Sequence, residues 1–234
     1  MIIRREDPRM YMYGRRRRSP LRSILLLTVI LMLGVYWWVS NNPRQVEGVV
    51  LTVLNRPATA TPFASDWATQ AAEAFARGDL PTALSYYQQA VAQQPNNVSY
   101  LYEYGKVLIE ADQSSLAAQI GDRAIEAAPN DVRGYALKAN AIAYSDPTNA
   151  IIVALQGEEI NRNFAPLHAA QAIANTQIYR YSQALASGRT AIELDPLDPT
   201  VYRAYSWPLI FVGQSAQAIE NLETAIALNP NLPG

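Results

Sequence analysis

The sequence predicts an all-α fold, a solenoid of five helix-turn-helix repeats preceded by a single transmembrane helix. Three observations predict it. Ala83, Ala90 and Pro95 recur as Ala117/Ala124/Pro129, Ala150/Gly157/Arg162, Ala184/Ala191/Pro196 and Ala218/Ala225/Pro230, in steps of 34, 33, 34 and 34 residues, and a fixed period of this length marks stacked supersecondary units. Twelve positions before each leading Ala stands another small residue: Ala71, Gly105, Ala139, Ala172 and Ser206. Ahead of the periodic region, residues 24–39 run apolar and without a charge.

The small residues have a steric cause. Positions seven apart lie two turns apart on one face of a helix, and where a paired helix crosses close to that face only a small side chain fits. Trp67, Leu101, Tyr135, His168 and Tyr202 occupy matched positions on the first helices, where a bulky residue fills the space beside the crossing. Gly78-Asp79 and Gly213-Gln214 mark tight turns inside repeats. Pro95-Asn96-Asn97, Pro129-Asn130-Asp131 and Pro196-Leu197-Asp198 end one unit and cap the next. The third repeat is one residue short at Ser145-Asp146-Pro147, and the fifth carries Pro208 inside its first helix.

In chain order, residues 1–20 form a disordered basic tail ending in Arg15–Arg18, and residues 21–40 the transmembrane helix, whose length suits a bilayer. Tyr36, Trp37 and Trp38 gather at its far end, as interfacial aromatics do, and the arginines on its near flank place the N-terminus in the cytoplasm. A cleaved signal peptide is the competing reading. No small-residue cleavage site follows the apolar run, and Trp37 and Trp38 stand where one belongs. Residues 41–63 form a linker whose Val46–Leu54 stretch could pair as a strand or pack on the first repeat. The repeat domain covers 64–231, with units at 64–97, 98–131, 132–164, 165–198 and 199–231.

These residues resemble the tetratricopeptide repeat (TPR) family, most fully in the first unit, at Trp67, Ala71, Gly78, Leu80, Ala83, Tyr87, Ala90 and Pro95. The resemblance implies a right-handed solenoid with a concave groove, lined by first-helix residues, that binds segments of other proteins. Carried onto this chain, its aromatic, cationic and amide members are Tyr102, Lys106, Arg133, Asn140, Tyr144, Arg203 and Trp207. A subset of the family grips a partner's terminal carboxylate with five Lys, Asn and Arg side chains. The corresponding positions here hold Ala68, Ala72, Glu103, Arg133 and Leu137, so that role is not expected.

Composition narrows the remaining classes. The net charge of −1 conceals eight Arg in residues 1–22, while residues 64–234 hold nine Lys and Arg against seventeen Asp and Glu. An acidic domain is a poor match for nucleic acid. The chain has no cysteine, which removes thiol catalysis and cysteine metal sites. His168 is its one histidine. Glu158 and Glu159 point about 100° apart on a helix and read as a solvated face. No enzyme activity, metal or cofactor is therefore expected. On the last helix Ile219, Leu222 and Ile226 lie where a further repeat would stack, an apolar face suited to a partner or a second copy. The function expected is a scaffold that assembles other cell-envelope proteins in the inner membrane, with the solenoid on the non-cytoplasmic face. The alternative is a permanent subunit of a membrane complex.

Overall fold

The computed structural model describes residues 20–41 and 62–231. The basic tail, the 46–54 stretch and the rest of the linker up to Thr61 lie outside the described residues. The chain divides into two units, residues 1–60 and 61–234.

In the first unit, α1 spans Pro20–Asn41. Among the described residues no helix is long and apolar enough to cross a membrane. The structure therefore contributes a helix over this stretch, and the spanning role remains a reading of the sequence.

The second unit is helical throughout its described length. Its helices pair as α2 (Ala64–Ala76) with α3 (Leu80–Gln93), α4 (Val98–Glu110) with α5 (Ser114–Ala127), α6 (Val132–Ile142) with α7 (Pro147–Ile160), α8 (Ala165–Gln177) with α9 (Tyr181–Leu194), and α10 (Pro199–Phe211) with α11 (Ser215–Leu228). Each helix packs on the next. The first helices α4, α6, α8 and α10 also touch in succession, so they form the inner, concave side of the array. α10 runs through Pro208 to Phe211.

The small residues are the crossings. All fifteen are buried. A Cβ added to Gly157 would stand 2.6 Å from Leu167 Cδ2 and 3.0 Å from Tyr135 Cβ, which is why this slot admits no larger residue. Leu101, Leu108, Leu137, Leu167 and Leu209 fill the space between crossings and are fully buried.

Caps fall where the sequence places them. Asn97 accepts from the backbone N–H groups of Ser99 and Tyr100, Asp131 from Arg133, and Asp198 from Thr200. Each satisfies donors that a helix start leaves unpaired.

The turns inside repeats follow one rule with one exception. In repeats 1, 2, 4 and 5 the residue five before the leading Ala has a positive φ: Gly78, Asp112, Tyr179 and Gly213. There the next N–H reaches the carbonyl five residues back, as in Asp79 to Ala74 and Arg180 to Asn175. Repeat 3 lacks one residue, and Asp146 N–H bonds to Ile142 O, four back. The deletion thus removes the left-handed residue itself. A left-handed backbone costs an ordinary L-residue roughly 1–2 kcal/mol, and glycine nothing comparable. Tyr179 is the most strained occupant of this set.

One reading of a single residue changes and another gains its reason. Glu158 does not face solvent beside Glu159. Its side chain is largely buried and its Oε1 accepts from Gln171 Nε2 at 2.6 Å. His168 is explained by its neighbours: Tyr135 and Tyr202 donate their hydroxyls to the carbonyls of Pro129 and Pro196, six residues back, and His168 Nε2 lies 2.8 Å from Arg162 O, also six back. A carbonyl only accepts, so Nε2 carries the proton. His168 makes the bond of the tyrosine it replaces.

Candidate functional site

Six of the seven groove residues lie on the first helices and Tyr144 stands in the turn after α6, and the structure shows what each one touches. Arg133 Nη2 lies 2.6 Å from Asp131 Oδ2, and its Nη1 donates to Ser99 Oγ across the repeat boundary at 2.9 Å. The bonds to Arg133 hold the Asp131 carboxyl below the usual carboxylate range, and in return they raise the guanidinium of Arg133. Lys106 pairs with Glu103 at 3.1 Å and sits 5.5 Å from the centre of the Tyr102 ring. Burial, and then Glu103, push the Tyr102 phenol up. Asn140 donates its amide to the carbonyls of Ala136 and Pro166.

Longer contacts cross the concave face. Arg203 on α10 forms a two-pronged pair with Glu110 on α4, at 2.9 and 3.1 Å, joining residues 93 apart in sequence. The Glu110 side chain is only 8% exposed. Tyr144 and Trp207 meet edge to face at 6.1 Å, and Tyr102 lies 6.2 Å from Phe164. At the end of the array Asn231 Nδ2 donates to Ala76 O, joining the last repeat to the first. The array is thus wound tightly enough for repeats 2 and 3 to touch repeat 5, and the groove residues are largely committed to partners within the domain.

The concave face remains open at its first boundary. There Ser65, Ala68, Thr69 and Ala72 of α2 face Ser99 and Glu103 of α4 across a recess of about 390 Å³ floored by Tyr87. The small groove positions of repeat 1 signalled this opening, although the emphasis on aromatic and charged residues passed over it. A second cleft of about 540 Å³ lies between repeats 2 and 3, where Asp122 and Lys138 pair at 2.6 Å. On α11, Ile219, Leu222 and Ile226 are 56%, 36% and 62% exposed. Among the described residues no group of His, Cys, Asp and Glu is placed to hold a metal.

A curved stack of helix pairs, with an inner face of side chains and an uncovered apolar end, defines a helical-repeat protein. Residues 74–141 match the tetratricopeptide repeat family. The domain has the fold of TTC0263, a thermophilic TPR protein of Thermus thermophilus, at a TM-score of 0.60 and 19% identity over 71% of this chain and 92% of that one. The second unit thus has the fold of tetratricopeptide-repeat proteins and carries a matching segment of that family. MamA from Desulfovibrio magneticus is a more distant match, at a TM-score of 0.47 and 16% identity over 73% of this chain and 97% of that one. No curated protein matches the chain in sequence.

Proposed function

We propose that the chain is a single-pass membrane scaffold whose TPR domain binds or assembles other cell-envelope proteins on the non-cytoplasmic face of the inner membrane. The observation that carries protein binding is the exposed stripe of Ile219, Leu222 and Ile226 on the last helix. Inside the array the matching surfaces are covered by the following repeat, and an exposed apolar stripe of this kind marks an interaction site. The concave face offers a second surface, on which a partner segment has to compete with the chain's own bonds at Arg133 and Arg203. Anchoring rests on the uncharged run at residues 24–39, and orientation on Arg15–Arg18 and Arg22 against the aromatic residues at the far end.

A photo-crosslinking side chain placed at Ile226 in the full chain, in native membranes, tests the end face. Crosslinks to another protein or to a second copy are expected there and not from the same group at Asn130. Equal yields at both positions sink the reading. Orientation is tested separately: protease added to intact spheroplasts should remove the repeat domain, and protection until lysis reverses the topology.

A further inference from the structure

The first junction between repeats is built differently from the later ones, and the cause is one slot on the second helices. At matched positions Gly121, Ala154 and Gly188 let the next first helix come close: a Cβ added to Gly121 would stand 2.8 Å from Lys138 Cβ, and one added to Gly188 2.5 Å from Tyr205 Cδ2. The first repeat puts Tyr87 in that slot, and α2 makes no contact with α4 comparable to those between the later first helices. The gap this leaves is the recess of about 390 Å³ above Tyr87. Only 3% of Tyr87 is exposed, yet its hydroxyl reaches solvent and has no hydrogen-bond partner among the described residues. Buried tyrosine hydroxyls ordinarily find one. Burial, and then Glu103, push this phenol up, so it stays a neutral hydroxyl with lone pairs to offer. Glu103 also lines the recess. Lys106 bonds its Oε2 and leaves Oε1 without a donor among the described residues.

We infer that this recess takes a lysine side chain carried by a segment of another protein, which deepens the concave-face reading above by naming what that face selects. The two unmatched groups, the Tyr87 hydroxyl and Glu103 Oε1, are both acceptors, and an ammonium brings three donors on an apolar stem. Ala68 and Ala72 give the stem an apolar wall. Charge fixes the sign of the ligand. Glu103 is the one ionised group lining the recess, and the cations beside it, Lys106 and Arg133, are held by Glu103 and Asp131. Residues 64–234 carry nine Lys and Arg against seventeen Asp and Glu, so a carboxylate or phosphate ligand is repelled. A guanidinium is the poorer fit, because its flat fork calls for both oxygens of a carboxylate and Glu103 has one free. The hydroxyls of Ser65 and Ser99, which also line the recess, can donate to the main-chain carbonyls of a segment, and a free amine has no use for them.

The test is fluorescence anisotropy of a labelled, end-blocked heptapeptide, Gly-Ser-Ala-Lys-Ala-Ser-Gly, with the full chain in mild detergent. Saturable binding is expected, at least tenfold weaker for the same peptide with norleucine in place of lysine and for Glu103→Gln, and at least threefold weaker for Tyr87→Phe. Tyr87→Phe keeps the ring in its slot and removes a hydroxyl that bonds nothing in the fold, so its thermal midpoint should be unchanged or raised. Glu220→Gln removes a like charge on α11 and should leave affinity unchanged. The inference is overturned by absence of saturable binding, by equal affinity for the norleucine peptide, by an equal loss in Glu220→Gln, or by unchanged affinity or a lowered midpoint in Tyr87→Phe. It is also overturned if cadaverine competes as strongly as the unlabelled peptide, which would make the ligand a free amine. Crosslinking from Ile226 reads the end face separately, so that reading stands or falls on its own.

Discussion

Within each repeat a helix crossing is built from the same three small residues five times over, whereas across the concave face no contact is made twice. The crossings are local: their small residues are spaced seven and twelve apart, and they pack within a repeat or on the next one. The concave contacts join residues 93 and 155 apart, Arg203 with Glu110 and Asn231 with Ala76. The difference separates two sources of order. Crossings are set by sterics within a unit and against its immediate neighbour, as at Gly157 against Tyr135 and Leu167, so they repeat with the sequence, while the inner face is set by the sum of small rotations between units, so its pairs depend on the whole array.

The sharpest way to break the contrast is to enlarge a crossing. Gly157→Leu drives a side chain into Leu167 and Tyr135 and should cost about 3 kcal/mol or more, at the upper end of overpacking, read from the urea midpoint. A loss under ~1 kcal/mol would show that the crossing has slack. Removing a concave contact should cost less. Glu110→Ala leaves Arg203 without this partner, and because Arg203 is about a third exposed the expected loss is about 1–2 kcal/mol, below the range for a fully buried pair. The chain has no cysteine, so spin labels attached to cysteines introduced on α4 and α10 are the only ones present. Their distance distribution should broaden in Glu110→Ala, and an unchanged distribution would mean that the pair follows the winding without holding it.

Smaller still is the difference between two glycine turns. Gly213→Ala meets no atom and should cost only the left-handed strain, about 1 kcal/mol. Gly78→Ala carries the same strain and also brings a Cβ to 3.0 Å from Asn231 O, so it should be the worse of the two. Equal costs would show that the closing contact at Asn231 yields freely.

The smallest effect belongs to Asp131. Its carboxyl titrates below the ordinary value because Arg133 bonds to it. The stability it contributes is therefore fully present above the unfolded value, ~3.9, and is lost as pH falls through the folded value. Asp131→Asn keeps a capping oxygen. It should cost under about 1 kcal/mol at pH 7 and progressively less as pH falls below the ordinary carboxylate range, so a cost that does not change with pH would assign the effect to the cap.

The same division explains what was legible in advance. Ala83, Gly157 and Ala191 could be placed at crossings because one steric requirement recurs at one spacing, and Asn97, Asp131 and Asp198 because a helix start needs an acceptor. Glu158 was misread because its orientation depends on Gln171 of the following repeat, which no spacing within α7 encodes. The groove residues were found as neighbours on one face, but their mutual pairing was not. Arg203 and Glu110 have no relation in register, and only the winding brings them together. Tyr179 was visible in principle, as a tyrosine in the slot that glycine holds at 78 and 213, but the short third repeat concealed the rule.

The bond from Asn231 to Ala76 has a mechanical consequence. Tension applied between residues 63 and 231 enters α2 at one end and can leave it at the other through that single amide, bypassing four repeats. That hydrogen bond, in shear, loads first, and the Arg203–Glu110 pair loads once it lets go. The domain should therefore respond in two stages, a release at low force as Asn231 lets go and then stiff resistance as the crossings load in series. A scaffold held at one end and pulled at the other would lengthen before it unfolded.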